Sequence, residues 1–75
     1  MSKPSEFNYE VTEEIAVLRT EPSGWTFELN MVSWNGGKPK FDLRKWSPDH
    51  DKMGRGVTFD KDDALAIVEA LKAKV

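Results

Sequence analysis

The segment from Trp34 to Gly56, WNGGKPKFDLRKWSPDHDKMGRG, sets two indoles among six basic side chains: Lys38, Lys40, Arg44, Lys45, Lys52 and Arg55. Asp42, Asp49 and Asp51 offset half of that charge, so the segment is net +3 and the remainder of a chain of formal charge -2 carries -5. Flat rings interleaved with cations suit a partner that offers stackable faces and phosphates, which is the chemistry of single-stranded nucleic acid. The triplet Asp49-His50-Asp51 is the other cluster that could do chemistry, as a metal site or an acid-base pair. Three consecutive loop residues converge poorly on one ion, and the sequence holds a single histidine and no cysteine to complete a transition-metal shell. Asp49 reads better as a side chain that closes the turn after Pro48, with His50 structural or near a ligand. Glu13-Glu14 and the cluster Asp60, Asp62 and Asp63 read as solvated turn and helix-start charges. The sequence shows no nucleophile paired with a base and no phosphate-cradling glycine loop leading from strand to helix. We therefore expect no enzyme, no metal and no cofactor.

The chain has 75 residues, enough for one domain with a thin core, since about 60% of the unfolded surface can be buried at this size. Without cysteine there is no disulfide or zinc-thiolate reinforcement, which leaves self-association, and we expect a homodimer. No apolar run reaches the roughly 20 residues needed to cross a bilayer, and the opening residues MSKPSEF lack the apolar core of a secretory signal. The expected location is cytoplasmic, with nucleoid association as a variant of it and no membrane partner. Residues 1–6 read as a frayed tail and residues 7–75 as a single domain.

The elements that must position the charged and aromatic groups are strands first and a helix last. Tyr9, Val11, Ile15, Val17 and Leu18 mark a first strand, interrupted by a bulge at Thr12-Glu13-Glu14. After the turn Glu21-Pro22-Ser23-Gly24, the run WTFELNMVSW alternates Trp25, Phe27, Leu29 and Met31 with Thr26, Glu28 and Asn30, the clearest strand in the chain. Asn35-Gly36-Gly37-Lys38 supplies the positive backbone angles of a tight hairpin, and Pro39 is tolerable where it opens strand three, Lys40 to Trp46. Met53 to Phe59 reads as strand four, with glycines at 54 and 56 that permit a bulge or a close backbone approach. Asp60 then caps a helix in which Ala64, Ile67, Val68, Leu71 and Val75 form an apolar stripe. The fold class is α+β: a four-stranded antiparallel meander followed by one helix.

Alternation assigns the faces. We expect Phe27, Leu29, Met31, Phe41, Leu43, Val57 and Phe59 to pack beneath the helix, whose leftover apolar width meets the same helix of a second chain. Thr26, Glu28, Asn30, Val32, Trp34, Lys40, Asp42, Arg44 and Trp46 then point outward. Trp25, in phase with the inner set, reads as a packing residue. Trp34 and Trp46 are expensive to leave wet and read as base-stacking platforms, with burial under a second subunit as the alternative. Lysines on this face can also serve as solvated groups that blunt a strand edge. Asp42 either holds the Arg44 guanidinium in place or keeps it from phosphate.

The string WNGGKPKFDLRKWSPDHDKMGRGVTF resembles the YdbC-like bacterial branch of the positive-cofactor-four family, whose eukaryotic member is a transcriptional coactivator with a C-terminal single-stranded DNA-binding domain. The likeness spans roughly residues 7–75. It rests on W-N-G, K-x-D-[LI]-R-x-W and D-H-x-K-M-G-[RK]-G-[VI]-T in that order. The resemblance implies a curved four-stranded sheet, an intertwined dimer formed through the C-terminal helices, and single-stranded DNA lying across the sheets. It implies contacts from Trp34, Lys38 or Lys40, Arg44, Trp46 and Arg55, with Lys52 a further transfer. This chain departs from the strongly basic eukaryotic domain in its net charge of -2 and in placing Glu28 on the outward face.

Three function classes follow. The first is a largely sequence-independent single-stranded DNA-binding protein with a role in transcription regulation, replication or repair. Single-stranded RNA binding by the same face is the second, because no residue type by itself reports a 2′-hydroxyl. A protein-interaction module that buries Trp34 and Trp46 against a polypeptide is the third.

Overall fold

In the computed structural model, which describes residues 8–75, the twelve residues of β1 (Tyr9–Thr20) pair with the nine of β2 (Thr26–Trp34), and this mismatch shapes the sheet. The ladder skips Thr12, Ile15 and Leu18, one extra residue at each of three register shifts. Each such bulge bends the strand and increases its twist. Sequence alternation points to one interruption at Thr12-Glu13-Glu14; the structure spaces three along the strand, which is why β1 shows no clean period of two. The tail expected at residues 1–6 and the domain start at residue 7 lie outside the described residues.

β3 (Lys40–Trp46) and β4 (Met53–Phe59) complete one open antiparallel sheet in the order β1-β2-β3-β4, and α1 (Lys61–Lys72) follows. The β2–β3 link turns on Asn35 and Gly36, both at positive φ, with the Gly37 N–H donating to the Trp34 carbonyl at 2.9 Å. These are the angles that a primed hairpin turn demands and that Asn-Gly supplies at little steric cost. At the start of α1 the Asp60 N–H donates to the Asp63 carboxylate at 3.4 Å, and Asp62 and Asp63 occupy the first turn, where the helix dipole favours anions.

Cross-strand register fixes the two faces, because paired residues project to the same side. Thr26 pairs with Trp46, Glu28 with Arg44, Asn30 with Asp42 and Val32 with Lys40, so these share one face; Phe27, Leu29 and Met31, opposite Lys45, Leu43 and Phe41, share the other. The expected partition is present, but its burial is reversed. Val32 and Trp46 are the buried apolar residues, joined by Glu28, Asn30 and Asp42, and all five belong to the face expected to point outward. The set expected as core is only partly covered, and Val57 is exposed.

Bending explains the reversal. Trp46 pairs with Thr26, eight residues along β2 from Trp34, and a straight strand would hold those positions about 26 Å apart. Yet the Trp46 and Trp34 rings lie 5.6 and 5.9 Å from the ring of Tyr9. The sheet curls around this face and fills its own hollow with these rings.

The helix does not take up the expected position over the sheet either. It meets the sheet mainly at β3 and has no buried residue; Leu65, Ile67, Val68 and Leu71 are each between 42% and 55% exposed. Between its first turn and the β2–β3 hairpin, a groove of about 530 Å³ is lined by Met31, Pro39, Phe41 and Asp60 among others. The stacked Phe41 and Phe59 rings, 5.7 Å apart, cover part of the outer face, and the Arg19 guanidinium lies 4.8 Å above Phe27. No described helix is long and apolar enough to cross a membrane.

Candidate nucleic-acid interface

Arg44 is the most constrained cation among the described residues. From the centre of β3 it donates through Nε to Asp42 Oδ2 at 2.7 Å and through Nη2 to Asp42 Oδ1 at 2.8 Å, a two-pronged pair. Its Nη1 donates to the Gly54 carbonyl at 3.1 Å and lies 3.4 Å from Met53 Sδ. Asp42 has no exposed surface and the Arg44 side chain is 12% exposed. The guanidinium plane is thereby fixed 4.8 Å above the Trp34 ring. Asp42 orients Arg44 over the indole and in doing so takes up its Nε and Nη2 donors, so the two roles read for it coincide in one contact.

Gly56, opposite Arg44 on β4, makes room for this arrangement. A Cβ there would collide with the Arg44 Cβ and the Leu43 carbonyl, so the close approach anticipated for the late glycines belongs to Gly56. Gly54 has ordinary van der Waals space, and Arg55, between the two, is exposed at the register shift that faces the end of β3.

From Arg44 the rings continue across the hollow. Trp34 meets Tyr9, Tyr9 meets Trp46 at 5.6 Å, and Trp46 stacks with His50 at 5.6 Å and 26° between planes. Trp46 is only 1% exposed, with its indole N–H buried and without an acceptor among the described residues. Such an orphan donor costs about 1–3 kcal/mol, which dispersion and apolar burial of the large ring must offset. Trp46 is thus a wall of the hollow, with its ring buried against Tyr9 and His50, and not the open platform that alternation leads one to expect. Sequence patterning missed Tyr9 and His50 as members of this row: Tyr9 precedes the bulges, and His50 lies in a loop with no periodicity.

Glu28 closes the row from below. Its buried carboxylate accepts from Thr26 Oγ1 at 2.5 Å, Asn30 Nδ2 at 3.2 Å and His50 Nε2 at 2.7 Å. Burial pushes the Glu28 carboxyl up, but the three donors outweigh it and hold the group below its ordinary value of 4.5. The acid expected to face a ligand is instead consumed in positioning His50.

The loop that carries His50 is built by Ser47 and Asp49. Lys52 N–H donates to Ser47 Oγ at 2.9 Å, Ser47 Oγ to Asp49 Oδ1 at 2.8 Å, and Asp51 N–H to the same oxygen at 2.9 Å. The Asp51 N–H and then the Ser47 hydroxyl hold the Asp49 carboxyl below its usual range. Asp49 therefore closes the turn, as its place after Pro48 suggests, and His50 takes a positive φ of 59°. No group of residues suited to hold a metal ion occurs among the described residues.

The remaining basic candidates are exposed: Lys38 in the β2–β3 link, Lys40 at the start of β3, Lys52 before β4 and Arg55 on β4. Lys40 lies 3.6 Å from Asp60 at the helix start, and Lys45 pairs with Glu21 at 2.8 Å on the other face. The structure therefore joins Trp34, Arg44 and Trp46 in one contact row. Lys38 and Lys40 instead line the groove with Met31 and Phe41 at the helix start, and Lys52 lines a cleft with Trp25 and Pro48.

No protein-family model matches the chain. A protein of Treponema pallidum (strain Nichols) described as uncharacterized is 44% identical over 68 residues, covering 91% of this chain and 80% of the other. The shared stretch takes in nearly the whole fold, and the chain belongs to the same family as that Treponema pallidum protein.

Proposed function

We propose that this protein is a single-stranded DNA-binding module of the positive-cofactor-four type, working as a homodimer in the cytoplasm in transcription regulation, replication or repair. The observation that carries the reading is the unbroken contact row Arg44, Trp34, Tyr9, Trp46 and His50 across one face of the sheet. Its two ends are polar, flat and held in place by buried carboxylates. Unpaired bases stack on such planar groups whatever their identity, and exposed Lys38, Lys52 and Arg55 supply cations that would neutralise phosphates of a bound strand. Paired bases hide their faces, so duplex is the poorer ligand.

The dimer rests on a different observation. The apolar side of α1 is about half exposed and the outer face of the sheet only partly covered in one chain, and a small domain rarely leaves that much apolar surface wet. A second copy, bringing the same helix, covers both. Titration with oligothymidine, followed by tryptophan fluorescence and repeated with oligouridine and with duplex, tests the ligand class. Equal binding of duplex would remove the stacking mode, and tighter oligouridine binding would move the assignment to RNA.

A further inference from the structure

We propose that His50 is a nucleobase-stacking residue, the solvent-facing end of the aromatic row; this inference rests on the single-stranded nucleic-acid reading of the same face. The imidazole has one side against Trp46, at 5.6 Å between centroids and 26° between planes, and 51% of its side chain remains exposed. Its edge is fixed at Nε2 by Glu28 Oε2 at 2.7 Å, and its backbone by the His50 N–H to Ser47 carbonyl bond at 2.8 Å. A ring that is backed, pinned at its edge and open on its outer side is pre-organised for stacking, because its ordering cost is met before the ligand arrives. The burial of Trp46 thereby acquires a role: the indole sets the plane of the imidazole that meets the base.

The surrounding charge distinguishes a base from a phosphate as the occupant. Asp49 and Asp51 flank His50 in sequence, Glu28 holds it, and Glu14 lines the adjoining cleft of about 300 Å³ with Ile15, Val17 and Asn30. Four carboxylates near one imidazole repel a phosphate oxygen but leave the uncharged face of a base unopposed. The cleft is open beside the ring, which gives a stacked base an edge to lean on.

The chain has one histidine, so its imidazole C–H proton resonances report on this position alone. The experiment is a proton NMR titration of the intact protein with oligothymidine, in parallel with a fluorescence titration of the wild type, His50→Ala and His50→Phe. A stacked base shifts both imidazole C–H signals upfield in a saturable way. His50→Ala should weaken oligothymidine binding by about 5- to 20-fold, the low end of the range for losing one stacked ring, while His50→Phe keeps it within about threefold. A purely structural role predicts that alanine lowers the melting temperature and leaves the imidazole signals of the wild type unmoved by the oligomer. Saturable binding with static imidazole signals overturns this inference and leaves the nucleic-acid reading standing. Absence of any oligothymidine binding overturns both.

Discussion

The Asp42 carboxylate, without exposed surface, grips the Arg44 guanidinium in two parallel hydrogen bonds of 2.7 and 2.8 Å and so lays it over Trp34. One buried acid thus decides where this guanidinium lies. Removing it leaves a nearly buried guanidinium without its counter-charge, a defect that typically costs about 3–5 kcal/mol. We expect Asp42→Ala to unfold at markedly lower urea than the wild type. Asp42→Asn, which keeps one acceptor, should fall between the two.

Gly56 tests the same neighbourhood by shape. A methyl group there meets the Arg44 Cβ and the Leu43 carbonyl, neither of which is the yielding end of a long side chain. Gly56→Ala should therefore destabilise the fold by about 2 kcal/mol or more, while Gly54→Ala, which has room, should stay within about 1 kcal/mol. Thermal melts of the two variants check this.

Acid should unlock the other end of the row. The Glu28 carboxyl is depressed in the fold, because donors from Thr26, Asn30 and His50 outweigh the burial that works to raise it. A depressed carboxyl contributes stability that is fully present above its unfolded value, near 4.5, and is lost as pH falls through the folded value. Urea midpoints should fall from about pH 6 to about pH 3, and the decline should be shallower in Glu28→Gln. A parallel decline in both would assign the acid sensitivity to other carboxylates.

Association should depend on α1. Val68 is half exposed in one chain and lies on the apolar stripe with Leu65, Ile67 and Leu71. A charge placed there opposes burial against a second helix but loses little within a single chain. Val68→Asp should shift the protein from dimer to monomer in sedimentation, and its melting temperature should lose the concentration dependence expected of the wild type.

What the sequence discloses and what it conceals have separate physical causes. Period-two alternation in β2 and β3 assigns Trp34, Arg44 and Trp46 to one side, and Asn35-Gly36 locates the hairpin, because both signals are local. Alternation divides a strand into two faces without saying which one curls inward. That choice is made by the three skipped residues of β1 and by contacts between rings far apart along the strands. Hence Trp46 lies on the side of the sheet that alternation gives it, yet is buried there and not exposed. Helix α1 is legible from its cap and stripe, but its position is not, since a stripe does not say which surface it meets, and α1 touches the sheet mainly at β3. His50 escaped notice as a stacking group because its neighbours Trp46 and Glu28 come from β3 and β2, and no spacing in the sequence announces that meeting.

The most direct measurement is the affinity of the wild type and of Arg44→Ala for oligothymidine, followed by tryptophan fluorescence at two salt concentrations under conditions where circular dichroism shows the variant, which leaves buried Asp42 unpaired, to be folded. Stacking of unpaired bases on this face predicts saturable quenching that weakens as salt rises, an affinity lower by about tenfold or more in Arg44→Ala, and much smaller quenching with blunt duplex. Quenching that is absent, or equal in wild type, Arg44→Ala and duplex, would contradict it.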